Sequence, residues 1–483
     1  MNKRKSGILM PISSLPSAHG IGDFGVKSYE FVDLIKEAGF SIWQILPLNP
    51  LGYGNSPYQP YSSKAMDDLY ISLDFLNDEG LVLKAGEYNK DLNFVEYEEV
   101  REYKQHFYKR AFKNFKKDEE YFEFIKNDWV YDYAVFLTLK KSNNLMCWNE
   151  WPKSMKDWIL DSKFDISKYE DSIEFELFIQ YTLYKQWNNL KAYANSKGIE
   201  IMGDLPIYVG IDSDDVWANQ DLFLLNKKGR PTFIAGVPPD YFCKTGQRWG
   251  NPLYDWEKLK ETGFKFWIER LSHNSKLFDI IRIDHFRAFD TYWKIPASHE
   301  TAEHGKWIEA PGYEFFDKVF EELPDINIVV EDLGHLRQEV LTLRDHYNFK
   351  GMRIIQFSFD ADGMPIDKEN LIIYTGTHDN QTIRSWYDDF SKKEKIKIDK
   401  FLKENDFKYG NIGLNMCAYC LSSNAQIAIV PMSDILNLTD VARLNSPGTV
   451  GNPNWQYRFT SFNKFKSLIK TLKEMNEKYT RCK

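Results

Sequence analysis

Eight short apolar runs recur along this chain, at residues 8–12, 42–46, 199–203, 280–283, 328–330, 352–357, 371–374 and 427–430. They do not alternate with polar residues, which is how strands buried on both faces of a parallel sheet read. Helical patterns lie between most of them, for example at 28–38 after the first and at 384–405 after the seventh. Strand–helix alternation of this kind predicts parallel α/β architecture. Eight units predict closure into a (β/α)8 TIM barrel, with an open doubly wound sheet as the alternative.

Two gaps between the runs are too long for a bare crossover. Within the first, Tyr103, Phe107, Ala111 and Phe115 recur every fourth residue, the spacing of one helix face, and a second helical run covers 121–141. Residues 70–185 are therefore read as a mainly helical insertion. The second gap, 204–276, is dense in glycine and proline and interleaved with tyrosine and tryptophan. That pattern predicts long shaped loops forming a loop-rich, substrate-binding insertion. Residues 1–483 are thus expected to be one catalytic barrel interrupted twice.

Composition narrows the partners. The chain has 483 residues, 43% of them hydrophobic, enough for a large core, and a net charge of -8, which argues against a nucleic-acid partner. No apolar run approaches the roughly 18–20 residues needed to span a bilayer, so no membrane is expected. The basic N-terminus is followed by an apolar run too short for a signal peptide, and the expected location is cytoplasmic. The five cysteines are scattered, and Cys417-Ala-Tyr-Cys420 has no second pair to complete a zinc site. His378 beside Asp379 and His285 beside Asp284 are isolated pairs, so no metal is expected. No GxGxxG directly follows a predicted strand, and GxxxxGK[ST], HExxH and GxSxG patterns are absent, so no cofactor is expected.

Three of the runs end in carboxylates: Arg282-Ile283-Asp284-His285, Val330-Glu331-Asp332 and Thr377-His378-Asp379-Asn380. Acidic groups at the carboxyl ends of barrel strands sit where this architecture places its chemistry. Cleaving or transferring a glycosidic bond needs one carboxylic acid to protonate the leaving oxygen and a second carboxylate to attack the anomeric carbon or activate water. Arg282 precedes Asp284 by two residues, so both point to one side of a strand. A guanidinium there would orient Asp284 and favour its charged form, which suits a nucleophile. Glu331 follows three apolar residues, surroundings that suit an acid/base. On spacing alone Glu331 and Asp332 are interchangeable. Asp379 sits in a polar loop able to bind sugar hydroxyls. The 52–61 loop, with Tyr53 and Tyr58 between glycines and prolines, offers rigid aromatic faces for a pyranose ring. Asp204 adds a fourth strand-end carboxylate, for which a structural reading stands beside the functional one. Trp249 is an acceptor-side platform.

At these residues the chain resembles the amylomaltases, the 4-α-glucanotransferases of glycoside hydrolase family 77. The match runs through Trp43-Gln44-Ile45-Leu46-Pro47-Leu48, the 52–61 loop, Gly203-Asp204-Leu205-Pro206-Ile207-Tyr208 and Gly236-Val237-Pro238-Pro239-Asp240-Tyr241-Phe242. It continues through 245–254, Arg282-Ile283-Asp284-His285-Phe286-Arg287, Glu331-Asp332-Leu333-Gly334, 376–380 and 442–448. The resemblance implies a retaining mechanism with Asp284 as nucleophile, Glu331 as acid/base and Asp379 as transition-state stabiliser. It implies that Arg282, Asp204, Tyr58, His285 and His378 line a donor site, and that Tyr53, Asp240, Gln247 and Trp249 lie on glucan-binding loops. Residues 238–246 match the loop that shields the intermediate from water in that family. Asn55 stands where many members carry Asp, a neutral change that bears on fine specificity. The implied partners are maltooligosaccharides and α-1,4-glucans derived from starch or glycogen, with glucose as acceptor, acted on by a monomer or homodimer. Hydrolysis of α-1,4-glucans on the same scaffold is the alternative activity.

Overall fold

The computed structural model describes residues 4–86, 88, 93–239, 243–334, 336–359 and 369–482, with the backbone alone for Tyr53 and Ser358. In chain order its strands are β1 (Lys5–Leu9), β2 (Ile42–Gln44), β3 (Glu200–Leu205), β4 (Phe233–Val237), β5 (Gln247–Pro252) and β6 (Ile280–Ile283). They continue with β7 (Thr291–Pro296), β8 (Lys306–Glu309), β9 (Ile328–Val330), β10 (Gly351–Ile354), β11 (Leu371–Tyr374) and β12 (Ile427–Pro431). Eight of these form one parallel sheet in the order β10-β11-β12-β1-β2-β3-β6-β9. Its two ends meet. Val329 bridges Lys350 in parallel, and the Val330 N–H donates to the Lys350 carbonyl at 3.0 Å. The sheet is therefore a closed (β/α)8 barrel and not an open doubly wound sheet.

Every predicted apolar run contributes a barrel strand, and the ends differ where backbone chemistry intervenes. The first strand stops at Leu9, because Pro11 has no N–H to extend the ladder and Ile12–Ser14 turn as a 3-10 helix. The sixth-run strand β10 stops at Ile354, where Ile355–Ser358 form a helical turn. The helical run at 384–405 is two helices, Ile383–Asp388 and Lys392–Glu404, because Ser391 and Glu394 form a capping box that starts the second. The 121–141 run likewise divides into Glu119–Phe124 and Asp128–Ser142.

Alternation along each strand sorts the barrel lumen by height. Leu9, Ile42, Met202, Ile280, Val329, Ile372, Ile427 and Ile429 pack together as an apolar floor. Two residues further on, the inward positions become polar: Gln44, Asp204, Arg282 and Glu331. The Tyr374 hydroxyl, also inward, donates to Gln44 Oε1 at 2.9 Å and closes the floor beneath them. Above the packed floor, the carboxyl ends of the strands form a polar mouth.

Around that mouth the long connections take form. The Tyr97–Asn114, Asp128–Ser142 and Glu170–Ser196 helices lie between β2 and β3. Phe115, at the end of the predicted helix face, meets Phe178 with ring centroids 4.9 Å apart. The stretch read as loops from 204 holds two strands. They pair with two later ones as an antiparallel sheet in the order β5-β4-β7-β8. Gly236, Gly250 and Pro252 lie inside β4 and β5, so their punctuation conceals two strands that pair with each other, and β4 pairs in addition with β7, remote in sequence. Among the described residues no helix is long and apolar enough to cross a membrane.

Gly203 shows how packing outside the barrel sets position inside it. It faces outward, one residue before the inward Asp204. A Cβ there would lie 2.2 Å from Phe278 Cδ2. Gly203→Ala must shift either β3 or Phe278, and overpacking of this kind costs about 1–3 kcal/mol. We expect a lower denaturant midpoint together with reduced kcat/KM, since Asp204 moves with its strand. An unchanged midpoint would mean that the Phe278 side yields freely.

Candidate active site

Burial of one guanidinium organises the barrel mouth. Arg282 is 4% exposed, and a buried charge needs partners. Its Nη1 donates to Asp204 Oδ1 at 2.6 Å, to Asp204 Oδ2 at 2.7 Å and to Asp284 Oδ1 at 2.9 Å. Burial opposes the charge of Arg282, but Asp204 and Asp284 outweigh it and hold its pKa well above the ordinary value. Asp284 follows β6, and its backbone N–H is tied to the Leu205 carbonyl at 3.0 Å, so its carboxyl projects over the mouth beside Asp204.

Glu331 follows β9 and meets the same cluster. Its Oε2 accepts the His285 N–H at 2.8 Å and its Oε1 accepts the Leu333 N–H at 3.0 Å. His285 has φ 53°, an uncommon left-handed conformation for a residue other than glycine, and this turns its amide toward Glu331. Burial, reinforced by the nearby Asp284 charge, pushes Glu331 up to about 7. Asp332 points the other way: it accepts the Met352 N–H at 2.6 Å and Arg344 Nη1 at 2.5 Å. The two neighbours, interchangeable in sequence, differ here because adjacent strand residues face opposite sides.

Asp379 reaches the mouth from the loop after β11. Its Oδ1 accepts Asn445 Nδ2 at 2.6 Å, its carbonyl accepts Arg443 Nη2 at 2.7 Å, and His378 Nε2 lies 3.5 Å from Oδ2. Both ends of this loop converge on Asp434. That buried carboxylate accepts the Thr375 hydroxyl at 2.6 Å and the Ile383 N–H at 2.8 Å. Burial pushes Asp434 up to about 6.

The aromatic residues flank this cluster. The Tyr58 hydroxyl donates to Asp204 Oδ2 at 2.8 Å, and its ring stacks on His378 with centroids 5.1 Å apart. Trp249 meets His285 edge-on at 4.8 Å, and Trp249 Nε1 donates to Gln247 Oε1 at 3.1 Å. Burial lowers His285 to about 4, so the ring is neutral near pH 7. The structure thus brings Asp204, Arg282, Asp284, Tyr58, His378 and Asp379 together through direct contacts, joins Glu331 to His285, and joins His285 to Trp249 and Gln247. The side chain of Tyr53 and all of Asp240 lie outside the described residues. Asn445, Arg443, Asp434 and Gln59 carried no assigned part in the sequence reading. Gln59 Nε2 binds the Trp249 carbonyl at 3.0 Å and Asn251 Oδ1 at 2.7 Å, joining the 52–61 loop to β5. These contacts are long-range, and in the sequence only the 52–61 loop and the 442–448 motif mark the segments that make them.

A closed parallel barrel with carboxylates gathered at the carboxyl ends of its strands defines a (β/α)8 enzyme. The family model described as 4-alpha-glucanotransferase, glycoside hydrolase family 77, matches residues 10–464. The chain belongs to this family and is an enzyme of that class. The 4-alpha-glucanotransferase of Clostridium butyricum is 41% identical over 494 residues, covering 98% of this chain and 100% of its own. That of Thermus thermophilus is 39% identical and covers 94% of each. The structure of amylomaltase from Streptococcus agalactiae in complex with acarbose has a TM-score of 0.93 at 36% identity, covering 100% of both chains.

The Asp434 anchor generates a test. Asp434→Ala leaves the Thr375 hydroxyl and the Ile383 amide unpaired, costing about 2 kcal/mol or more, and we expect kcat/KM to drop with the stability. Asp434→Asn keeps an acceptor for Ile383 and should stay near wild type. Burial raises the folded-state pKa above the unfolded one, so the stability contributed by protonated Asp434 is lost as pH rises through about 6. Denaturant midpoints measured across that range should show this component in wild type and not in Asp434→Asn.

Proposed function

We propose that the enzyme transfers α-1,4-glucan segments from a donor maltooligosaccharide to the 4-hydroxyl of an acceptor glucan or glucose, with retention. The observation that carries this reading is the pairing of unlike carboxyls. Glu331 is raised to about 7 by burial, while Asp284 is bound at 2.9 Å by the Arg282 guanidinium. One group suits proton delivery and the other suits attack.

In the first half-reaction an Asp284 oxygen bonds to the anomeric carbon as the C1–O4 bond breaks and Glu331 gives its proton to the departing saccharide. In the second, ionised Glu331 takes the proton of the acceptor 4-hydroxyl, whose oxygen bonds to C1 and releases Asp284. Asp379 and His378 bind sugar hydroxyls beside the reacting carbon, with Tyr58, Asp204 and Arg282 on the donor side. His285 belongs with the donor side, Trp249 is the acceptor-side platform, and Gln247 shares with Trp249 the glucan-binding role that the family resemblance also gives to Tyr53 and Asp240. Residues 70–185 and 204–276 act as insertions walling a glucan groove. Transfer exceeds hydrolysis where the acceptor is held in place and water is scarce. Donors and acceptors are starch- or glycogen-derived glucans met in the cytoplasm. The amylomaltase of Streptococcus agalactiae was solved in complex with acarbose, which supports a saccharide-like ligand for this chain.

Incubation with maltotriose separates the activities. A ladder of longer maltooligosaccharides with glucose is expected for transfer, and shorter products alone would mean hydrolysis. Asp284→Ala should abolish turnover while maltotriose binding, measured by calorimetry, persists. Turnover retained in that variant overturns the nucleophile assignment. Glu331→Gln is expected to lower kcat about 10²–10⁴-fold.

Proton delivery requires protonated Glu331, so kcat/KM for the donor should decline as pH rises through about 7. A profile flat to pH 9 would remove Glu331 as the acid.

A further inference from the structure

We infer that Trp455 is a positioning residue for the donor side of the site, aimed from outside the barrel by the segment that opens the Tyr97–Asn114 helix. The inference rests on the donor-side reading of Tyr58 and His378.

Trp455 has φ 67°. Left-handed backbone is common for glycine and disfavoured for a bulky side chain, and it persists only where the surroundings impose it. The surroundings here are explicit. The Trp455 N–H donates to the Leu444 carbonyl at 2.6 Å, and its own carbonyl accepts the Tyr97 hydroxyl at 2.6 Å. The next residue is clasped by the same segment. The Val95 N–H donates to the Gln456 carbonyl at 2.8 Å, and Gln456 Nε2 donates back to the Val95 carbonyl at 2.9 Å. Beyond it, the Arg458 N–H donates to the Asn93 carbonyl at 2.8 Å.

The strained turn aims the indole at two rings of the site. Trp455 lies 5.6 Å from Tyr58 and 5.8 Å from His378, centroid to centroid, and those two lie 5.1 Å from each other. The three rings form a closed triangle. Tyr58 can then present its hydroxyl to Asp204, and His378 is fixed one residue before Asp379. Trp455 is 8% exposed, so its effect passes through the rings it supports. In this arrangement the segment before the long helices is part of the donor-site apparatus, linked to it through the Tyr97 hydroxyl and the backbone of Val95 and Asn93.

The test uses the full chain, maltotriose disproportionation at 25 °C, and a thermal midpoint for every variant. Glycine adopts φ near 67° without a Cβ penalty, so Trp455→Gly removes the ring and keeps the turn. Its kcat/KM for maltotriose should fall at least tenfold, with much of the loss in KM. Trp455→Phe should recover part of it. Tyr97→Phe, which removes only the hydroxyl, should lower kcat/KM about threefold. His378→Ala is the reference: it should lose at least as much as Trp455→Gly. If His378→Ala is impaired while folded Trp455→Gly stays within twofold of wild type, the positioning inference fails and the donor-side reading stands. If His378→Ala is unimpaired, the donor-side reading itself fails. Should Trp455→Gly not fold, Trp455→Phe and Tyr97→Phe decide. A packing role alone lowers their thermal midpoints and leaves kcat and KM unchanged, which would overturn the inference.

Discussion

The arrangement at the barrel mouth depends on how a buried guanidinium is neutralised. Arg282 lies inside the sheet, above the apolar floor, where an unpaired charge would be prohibitively costly. Asp204 from the adjacent strand takes it at 2.6 and 2.7 Å, and Asp284, two residues along the same strand, takes it at 2.9 Å. Tyr58 then satisfies a remaining Asp204 lone pair. These contacts fix one edge of the site as a unit. They also place positive charge beside Asp284 and leave the buried Glu331 with two backbone donors, a neighbouring anion and a raised pKa. The difference between the two carboxyls arises from the environment and not from their chemistry.

The third carboxylate is held in another manner. Asp379 sits on a loop, and loops are precise only where something outside them supplies rigidity. Asp434 grips the loop at Thr375 and Ile383, Asn445 grips the Asp379 carboxyl, and Arg443 grips its backbone. Trp455 backs the adjoining His378. All of these come from the last strand or the segment after it. The C-terminal part of the chain is thus a scaffold for a loop that precedes it.

Much of the fold was legible because its signals are local. Buried parallel strands must be apolar throughout, so eight β-branched runs stood out, and the three that matter most ended at or beside the observed strand ends. The antiparallel sheet was hidden, since β4 and β5 contain glycine and proline that read as loop, and the pairing of β4 with β7 is remote. The broken helical runs were hidden in a different way: a capping box at Ser391 restarts a helix without changing the hydrophobic period.

At the site the division is equally physical. Period-two spacing places Arg282 and Asp284 on one side of β6, and apolar flanks mark Glu331, because both are properties of a strand and its immediate neighbours. Spacing left Glu331 and Asp332 tied. The closed barrel separated them, since only a lumen has an inside for Glu331 to face and an outside where Asp332 meets Arg344. Hydrophobicity and alternation along the chain suffice to mark the barrel strands and the carboxylates at their ends. The partners of those carboxylates follow only from how the folded chain brings remote segments together. Asn445 and Asp379 are 66 residues apart, and Tyr97 and Trp455 are 358 apart. No local preference encodes such contacts, which exist only once the chain has closed on itself.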